Sequence, residues 1–226
     1  MNDTIIISAD ELSLQECVAL TEKIGNRVYA IKVHGAYDEF GPDVVEKLKS
    51  AGAKRVWMDA KLHDIPNTAR FRAEAFAKAG VDIITVHASG GVEMMRAACE
   101  GAPNAEIYAV TVLTSLGEED AQTLYGKSVE DAVRDLARLA KRAGVTGVVC
   151  SSKEVAMLAA DPELAGLKLV VPGIRSAGKD THDQKRVATP KEAVDAGATH
   201  LVVGRQVVSA TDPDAALREI EEELGF

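Results

Sequence analysis

Eight short apolar runs, a helical pattern after each of them, and no linker between the units predict a (β/α)₈ TIM barrel for this chain of 226 residues. Apolar strands alternating with amphipathic helices are the mark of parallel strands joined by crossover helices. Chains of this size routinely close into one α/β barrel. Residues 1–226 are therefore expected to form a single domain, long enough to bury one large core.

Taken in order, the runs and helices alternate without interruption. Ile5 to Ala9 precedes a helix over Leu14 to Ile24, Val28 to Val33 precedes Pro42 to Ser50, Arg55 to Asp59 precedes Asn67 to Ala79, and Asp82 to Val86 precedes Gly91 to Glu100. Ile107 to Val112 leads to Val129 to Ala143, Gly147 to Cys150 to Lys153 to Ala160, Lys168 to Val171 to Pro190 to Ala196, and His200 to Val203 to Pro213 to Leu224. Several helices end in Ala-Gly, at Gly52, Gly80, Gly144 and Gly197, where glycine takes a left-handed cap without the strain a Cβ would bring. Pro66 suits the first turn of its helix, because its missing N–H has no helical partner there. An open doubly wound sheet is the competing architecture, but it carries a Gly-rich fingerprint after its first strand, and Ser8-Ala9-Asp10-Glu11 is no such loop.

A net charge of −9 argues against nucleic acid or an anionic membrane as partner, since both attract basic surfaces. An anionic substrate would need a local basic pocket. Cys17, Cys99 and Cys150 are odd in number, lack C-x-x-C spacing and sit among apolar or small residues, as reduced core cysteines do. The first residues have no basic region before their apolar run, and no uncharged stretch reaches the ~18 residues of a spanning helix, so a cytoplasmic protein is expected.

In a barrel of this kind the site is built at the C-terminal ends of the strands. Asp59-Ala60-Lys61-Leu62-His63-Asp64 sets two carboxylates and an ammonium at such an end, and strand alternation puts Asp59 and Lys61 on one wall with Met58 and Ala60 on the other. A solvated loop with an ordinary ion pair is the plainer reading of that segment alone. The first run adds Asp10, the second Lys32, the fourth His87 and the fifth Thr114-Ser115. Alternation places Lys32 with Val28 and Ala30, and Asp10 with Ile6 and Ser8, facing a common interior. The seventh and eighth runs exit through Gly173-Ile174-Arg175 and Gly204-Arg205, where this fold usually holds phosphate and where Arg offers a matching fork of donors. The polar stretch from Ser176 to Gln184 has the composition of a lid.

The segments Asp59 to Thr68, Pro172-Gly173-Ile174-Arg175, Asp183 to Pro190 and Val203-Gly204-Arg205, in this order, resemble orotidine 5'-monophosphate decarboxylase over essentially the whole chain. Sugar-phosphate enzymes of the same superfamily share D-x-K-x-x-D but typically carry Glu where this chain has Lys32, so Lys32 favours the decarboxylase. The resemblance implies cofactor-free and metal-free decarboxylation of orotidine 5'-phosphate to UMP in pyrimidine synthesis by a homodimer. It makes Lys61 the proton donor to C6, beside Asp59, with Lys32 and an Asp64 contributed across the interface completing the charged network. Asp10 and Lys32 would contact the ribose, Thr114 and Ser115 the pyrimidine edge, and Gln184, Gly204 and Arg205 the phosphate, while Ile65 and Thr68 line the shared interface and Arg175 starts the lid. Ser8-Ala9-Asp10 departs from the usual Ala-Leu-Asp, and His34 stands where Gly is common. Two rivals remain: a metal-dependent sugar-phosphate lyase or decarboxylase, with His63 and His87 as candidate ligands, and a UMP-binding regulatory protein.

Overall fold

The computed structural model describes residues 3–177 and 188–226. Strands β1 (Ile5–Ser8), β2 (Ala30–Val33), β3 (Val56–Leu62), β4 (Ile83–His87), β5 (Glu106–Val110), β6 (Gly147–Val149), β7 (Lys168–Val171) and β8 (His200–Val203) pair in sequence order. Parallel pairing of β1 with β8 closes the barrel, so the molecule is a (β/α)₈ TIM barrel. Around it run α1 (Leu14–Ile24), α2 (Gly35–Phe40), α3 (Asp43–Ser50), α4 (Pro66–Lys78), α5 (Gly91–Gly101), α6 (Glu118–Tyr125), α7 (Val129–Ala143), α8 (Val155–Ala159), α9 (Pro190–Asp195), α10 (Arg205–Val208) and α11 (Pro213–Glu223).

Each strand is buried on both faces, which is why it reads as a nearly continuous apolar run. Ile6, Ala30, Trp57, Ile83, Tyr108, Val170 and Val202 fill the barrel, with Val149 packed against them. Trp57 and Tyr108 meet edge to face at 5.3 Å, the favoured geometry for two rings. The alternate residues, such as Ile5, Ile7, Ile31, Met58, Ile84 and Val148, pack outward against the helices. One expectation is corrected here: Val28 belongs to that outer layer and Tyr29 to the inner one. Both precede β2, so strand alternation does not yet govern them.

The helix ends follow their sequence signals. Ser13 and Glu16 cap α1 reciprocally, as Thr189 and Glu192 cap α9. Pro66 opens α4 behind an extended Ile65. The four Ala-Gly ends all carry glycine at positive φ, from 83° at Gly144 to 109° at Gly197.

Two differences from the sequence reading matter for the site. Helices α2, α6 and α10 stand where the sequence reading places none: α2 and α10 are short, while α6 carries signals of its own in a run of acidic residues in its first turn and a left-handed Gly126 at its end. Strand β3 runs past Asp59 to Leu62, so Lys61 stands on the strand itself. Strict alternation fails there: Lys61 has φ +45°, and the register with β4 shifts between Met58 and Leu62. No helix among the described residues is long and apolar enough to cross a membrane.

Candidate active site

A cavity of about 300 Å³ opens above the inner ring at the C-terminal rim, at the lower end of the size range of small-molecule sites. Its floor is Trp57, Val110, Val149 and Val202, and its charged wall comes from the ends of the first three strands.

That wall is a row of four groups. Lys32 Nζ is bonded to Asp10 Oδ2 on one side and lies 3.1 Å from Asp59 Oδ2 on the other. Lys61 Nζ donates to the same Asp59 oxygen at 2.7 Å. Asp59 and Lys32 are buried, at 6% and 5% exposure, whereas the Lys61 side chain keeps 35%. Burial alone would push the Asp59 carboxyl up, but the ammonium groups of Lys32 and Lys61 outweigh it and hold it at about 2. A buried charge flanked in this way stays ionised at any physiological pH.

Lys61 reaches Asp59 by a route that strand alternation does not describe. A left-handed conformation costs a residue with a Cβ roughly 1 kcal/mol. Lys61 nevertheless adopts it on an otherwise extended strand, and outliers of this kind gather at functional sites. The wall is also incompletely bonded. Asp10 Oδ2 takes Ser8 Oγ at 2.8 Å as well as Lys32, but Asp10 Oδ1 and Asp59 Oδ1 are buried without a donor at hydrogen-bond geometry among the described residues. Such acceptors are costly to leave unmet, so they mark where a ligand's donors belong.

The remaining expected residues divide into two groups. Thr114, Arg175, Gly204 and Arg205 line the cavity with the charged row. Arg175 is buried, and its Nη1 donates to the Ile174 carbonyl at 2.7 Å. Ser115 is exposed outside the wall. Asp64, Ile65 and Thr68 also stand away from the cavity: Asp64 is exposed and accepts the Ile65 N–H at 2.7 Å, Ile65 is 67% exposed, and Thr68 sits in the first turn of α4. Gln184 lies outside the described residues, with most of the expected lid. His63 and His87 pack with ring centroids 5.5 Å apart, and burial, then His63 and Lys61, push the His87 imidazole below its ordinary value.

Three contributors escaped the sequence reading. Trp57, which lines the cavity, donates its Nε1–H to the buried Thr85 Oγ1 at 2.6 Å. Gln206 ties the exits of β7 and β8 together, accepting the Ser176 N–H at 2.9 Å and donating to its hydroxyl at 2.8 Å. Trp57 was legible in parity with Asp59, two residues on; the other two are joined only in space.

The profile of the orotidine 5'-phosphate decarboxylase / HUMPS family matches residues 3–220. The chain belongs to that family. It is 41% identical to orotidine 5'-phosphate decarboxylase of Pseudoalteromonas translucida, covering 97% of this chain and 96% of the relative. The Pseudomonas aeruginosa enzyme of the same name is 40% identical over 98% of this chain and 97% of its own. Among solved structures, orotidine 5'-phosphate decarboxylase from Lactobacillus acidophilus superposes with a TM-score of 0.84 at 32% identity over 99% of each chain. Membership in the orotidine 5'-phosphate decarboxylase / HUMPS family agrees with the closed barrel and with a charged site at its C-terminal rim.

Proposed function

We propose that this chain decarboxylates orotidine 5'-phosphate to UMP and CO₂ in the cytoplasm, as a cofactor-free step of pyrimidine biosynthesis, with Lys61 supplying the proton to C6. The observation that carries the reading is the buried Asp59 carboxylate, held ionised between Lys32 and Lys61 at the wall of the cavity. Relatives named as this decarboxylase, alike over nearly their whole length, support it.

The chemistry asks for such a row. When the bond from C6 to the carboxyl carbon breaks, CO₂ leaves and the electron pair stays in an in-plane orbital that the ring cannot delocalise. An ammonium beside C6 attracts the developing charge and then gives up a proton, leaving Lys61 as an amine that regains one from solvent. Unit charges about 4 Å apart at an effective dielectric near 20 attract by roughly 4 kcal/mol, a real but partial share of the barrier reduction. Asp59 keeps Lys61 charged and aimed, and its own charge faces the substrate carboxylate, so departure of CO₂ relieves a repulsion.

Binding remote from C6 supplies the rest. The open oxygen of Asp10 suits a ribose hydroxyl, with Lys32 beside it. Thr114 and Ser115 serve the pyrimidine edge, and Gly204 and Arg205, with Gln184, serve the phosphate beyond Arg175. The partner subunit's Asp64 completes the network in a homodimer, Ile65 and Thr68 lying along the interface; their positions outside the one-chain cavity, with Ile65 exposed, support that arrangement.

An absorbance assay with orotidylate, run with and without EDTA, tests the reading. Turnover unaffected by the chelator is expected. Loss with EDTA indicates the metal-dependent rival, and tight UMP binding without CO₂ release indicates the regulatory one. Mixing inactive Lys61→Ala and Asp64→Ala chains should restore activity, because one site of the hybrid then holds both native residues. Failure under exchanging conditions assigns Asp64 to its own chain.

A further inference from the structure

Asp10 holds its place in the charged row by one oxygen. Its Oδ2 takes the Ser8 hydroxyl at 2.8 Å and the Lys32 ammonium, while its Oδ1 is buried without a donor among the described residues. A carboxylate only accepts, and each of its oxygens accepts from about two directions, so the Ser8 hydroxyl is the donor and together with Lys32 it fills Oδ2. The two donors arrive side by side because β1 and β2 pair Ser8 directly with Lys32, and both residues line the cavity. On its other side Ser8 lies beside Gly204, where a Cβ would stand 3.6 Å from the Ser8 Cβ. Glycine brings no side chain there to compete for the hydroxyl. If Lys32 were the sole donor, rotation about the Asp10 Cβ–Cγ bond would let both oxygens share the ammonium, and Oδ1 would no longer stand open.

We propose that Ser8 is a positioning residue whose hydroxyl, beside Lys32, pins Asp10 by Oδ2 and so keeps Oδ1 open to a hydroxyl donor of the ligand. On the decarboxylase reading, on which the identity of the ligand rests, that donor is a ribose hydroxyl. A buried acceptor fixed in this way selects as well as binds, because a ligand that lacks the hydroxyl leaves it unpaired. Ser8 thereby sets, through Asp10, a preference for a ribonucleotide over its deoxy counterpart.

Ser8→Ala removes one oxygen and keeps the strand residue small, so the barrel should fold as before. Calorimetric titration of both proteins with UMP, 2′-deoxyUMP and 3′-deoxyUMP reads the effect. Wild type should hold UMP at least about tenfold more tightly than one of the two deoxy analogues. Ser8→Ala should weaken UMP about tenfold, the worth of one hydrogen bond, while changing that analogue by less than about twofold. A residue that merely supported the barrel would weaken all three ligands alike. Equal losses for all three, an unchanged UMP affinity, or a wild type that distinguishes UMP from neither analogue overturns the proposal. Crystal structures of the free proteins give a readout that needs no nucleotide: in Ser8→Ala the Asp10 carboxylate should turn until both oxygens approach Lys32 Nζ, and an unmoved Asp10 likewise overturns the proposal. A turned Asp10 in a protein that neither binds UMP nor releases CO₂ would instead keep Ser8 as positioning residue and remove the decarboxylase reading.

Discussion

The two ends of this barrel both carry carboxylates, lysines and aromatic rings, and the C-terminal end opens onto the cavity of about 300 Å³. At the C-terminal rim Asp10, Lys32, Asp59 and Lys61 form a row with two buried oxygens unmet and one residue in a strained backbone conformation. At the N-terminal end Glu106 takes hydrogen bonds from Tyr29 and Tyr108 and one from Lys168 at 2.8 Å. Lys168 also donates to the Tyr29 hydroxyl at 2.8 Å, and His200 stacks edge-on against Tyr29 at 4.3 Å with its Nδ1 2.9 Å from the Thr199 hydroxyl. None of these groups carries an unmet buried polar side-chain atom. Titration is perturbed at both ends: burial raises the Tyr108 hydroxyl, and burial with Lys168 pushes His200 down to about 4. A shifted group therefore does not by itself locate chemistry. Unmet acceptors beside space for a ligand set the C-terminal end, where the proposed chemistry lies, apart from the N-terminal plug.

The largest effect that could break this contrast is on turnover. On the proposed mechanism Lys61→Ala removes both the proton donor and the charge at C6, so it should reduce kcat by at least about 10⁴-fold while the protein still binds UMP. Steady-state kinetics with calorimetric UMP titration check this, and substantial residual turnover would take Lys61 out of the proton step. At the other end, Glu106→Ala strands Lys168 and two tyrosine hydroxyls and should cost about 2 kcal/mol of stability, at the low end for a broken ion pair because Lys168 and Glu106 keep some solvent. Its kcat/KM per folded molecule should stay within about twofold of wild type. A parallel collapse of kcat would show that the plug tunes the site.

Acid should separate the ends by pH. Unfolded His200 takes up a proton near its ordinary 6.5, whereas in the barrel it stays neutral until about 4, so stability falls as pH drops from about 6.5 to about 4. Asp59 acts lower: its stabilising ionised form is complete above its ordinary 3.8 and is lost as pH falls toward about 2. Denaturant melts across both windows should show His200→Gln flattening the upper one and leaving the lower one intact; equal slopes in both proteins would exclude His200. The smallest effect concerns strain. Lys61→Gly and Lys61→Ala lose the same ammonium, so their difference isolates the backbone, and at φ +45° the glycine variant should be more stable by about 1 kcal/mol. Equal melting would mean the chain relaxes out of that conformation once the lysine is gone.

Much of this was legible beforehand for reasons that can be named. The strand runs at Lys168–Val171 and His200–Val203 coincide with β7 and β8, because residues 169–171 and 201–203 are buried on both sides and apolar, and each run ends where burial ends. Asp10, Lys32 and Asp59 were found because a charge at the end of such a run faces the common interior. The meeting of Asp59 with Lys61 was expected from alternation and occurs through a left-handed residue and a register shift. The Gln206 link to Ser176 and the Thr85 partner of Trp57 join residues 30 and 28 positions apart, and no local period connects them.

What the amino-acid order determined by itself is the alternation of buried strands and amphipathic helices, the barrel that follows from it, and the set of charges delivered to one rim. Those are consequences of periods of two and 3.6 residues, which are local and survive in any chain that keeps the pattern. Only the closed structure decided which charges touch, which carboxylate oxygens stay unmet, and that Asp64 and Ile65 turn away from the cavity of their own chain. Contacts between strands depend on register summed around the barrel, and on one residue of β3 leaving the extended conformation, and neither is written in the spacing of the residues concerned.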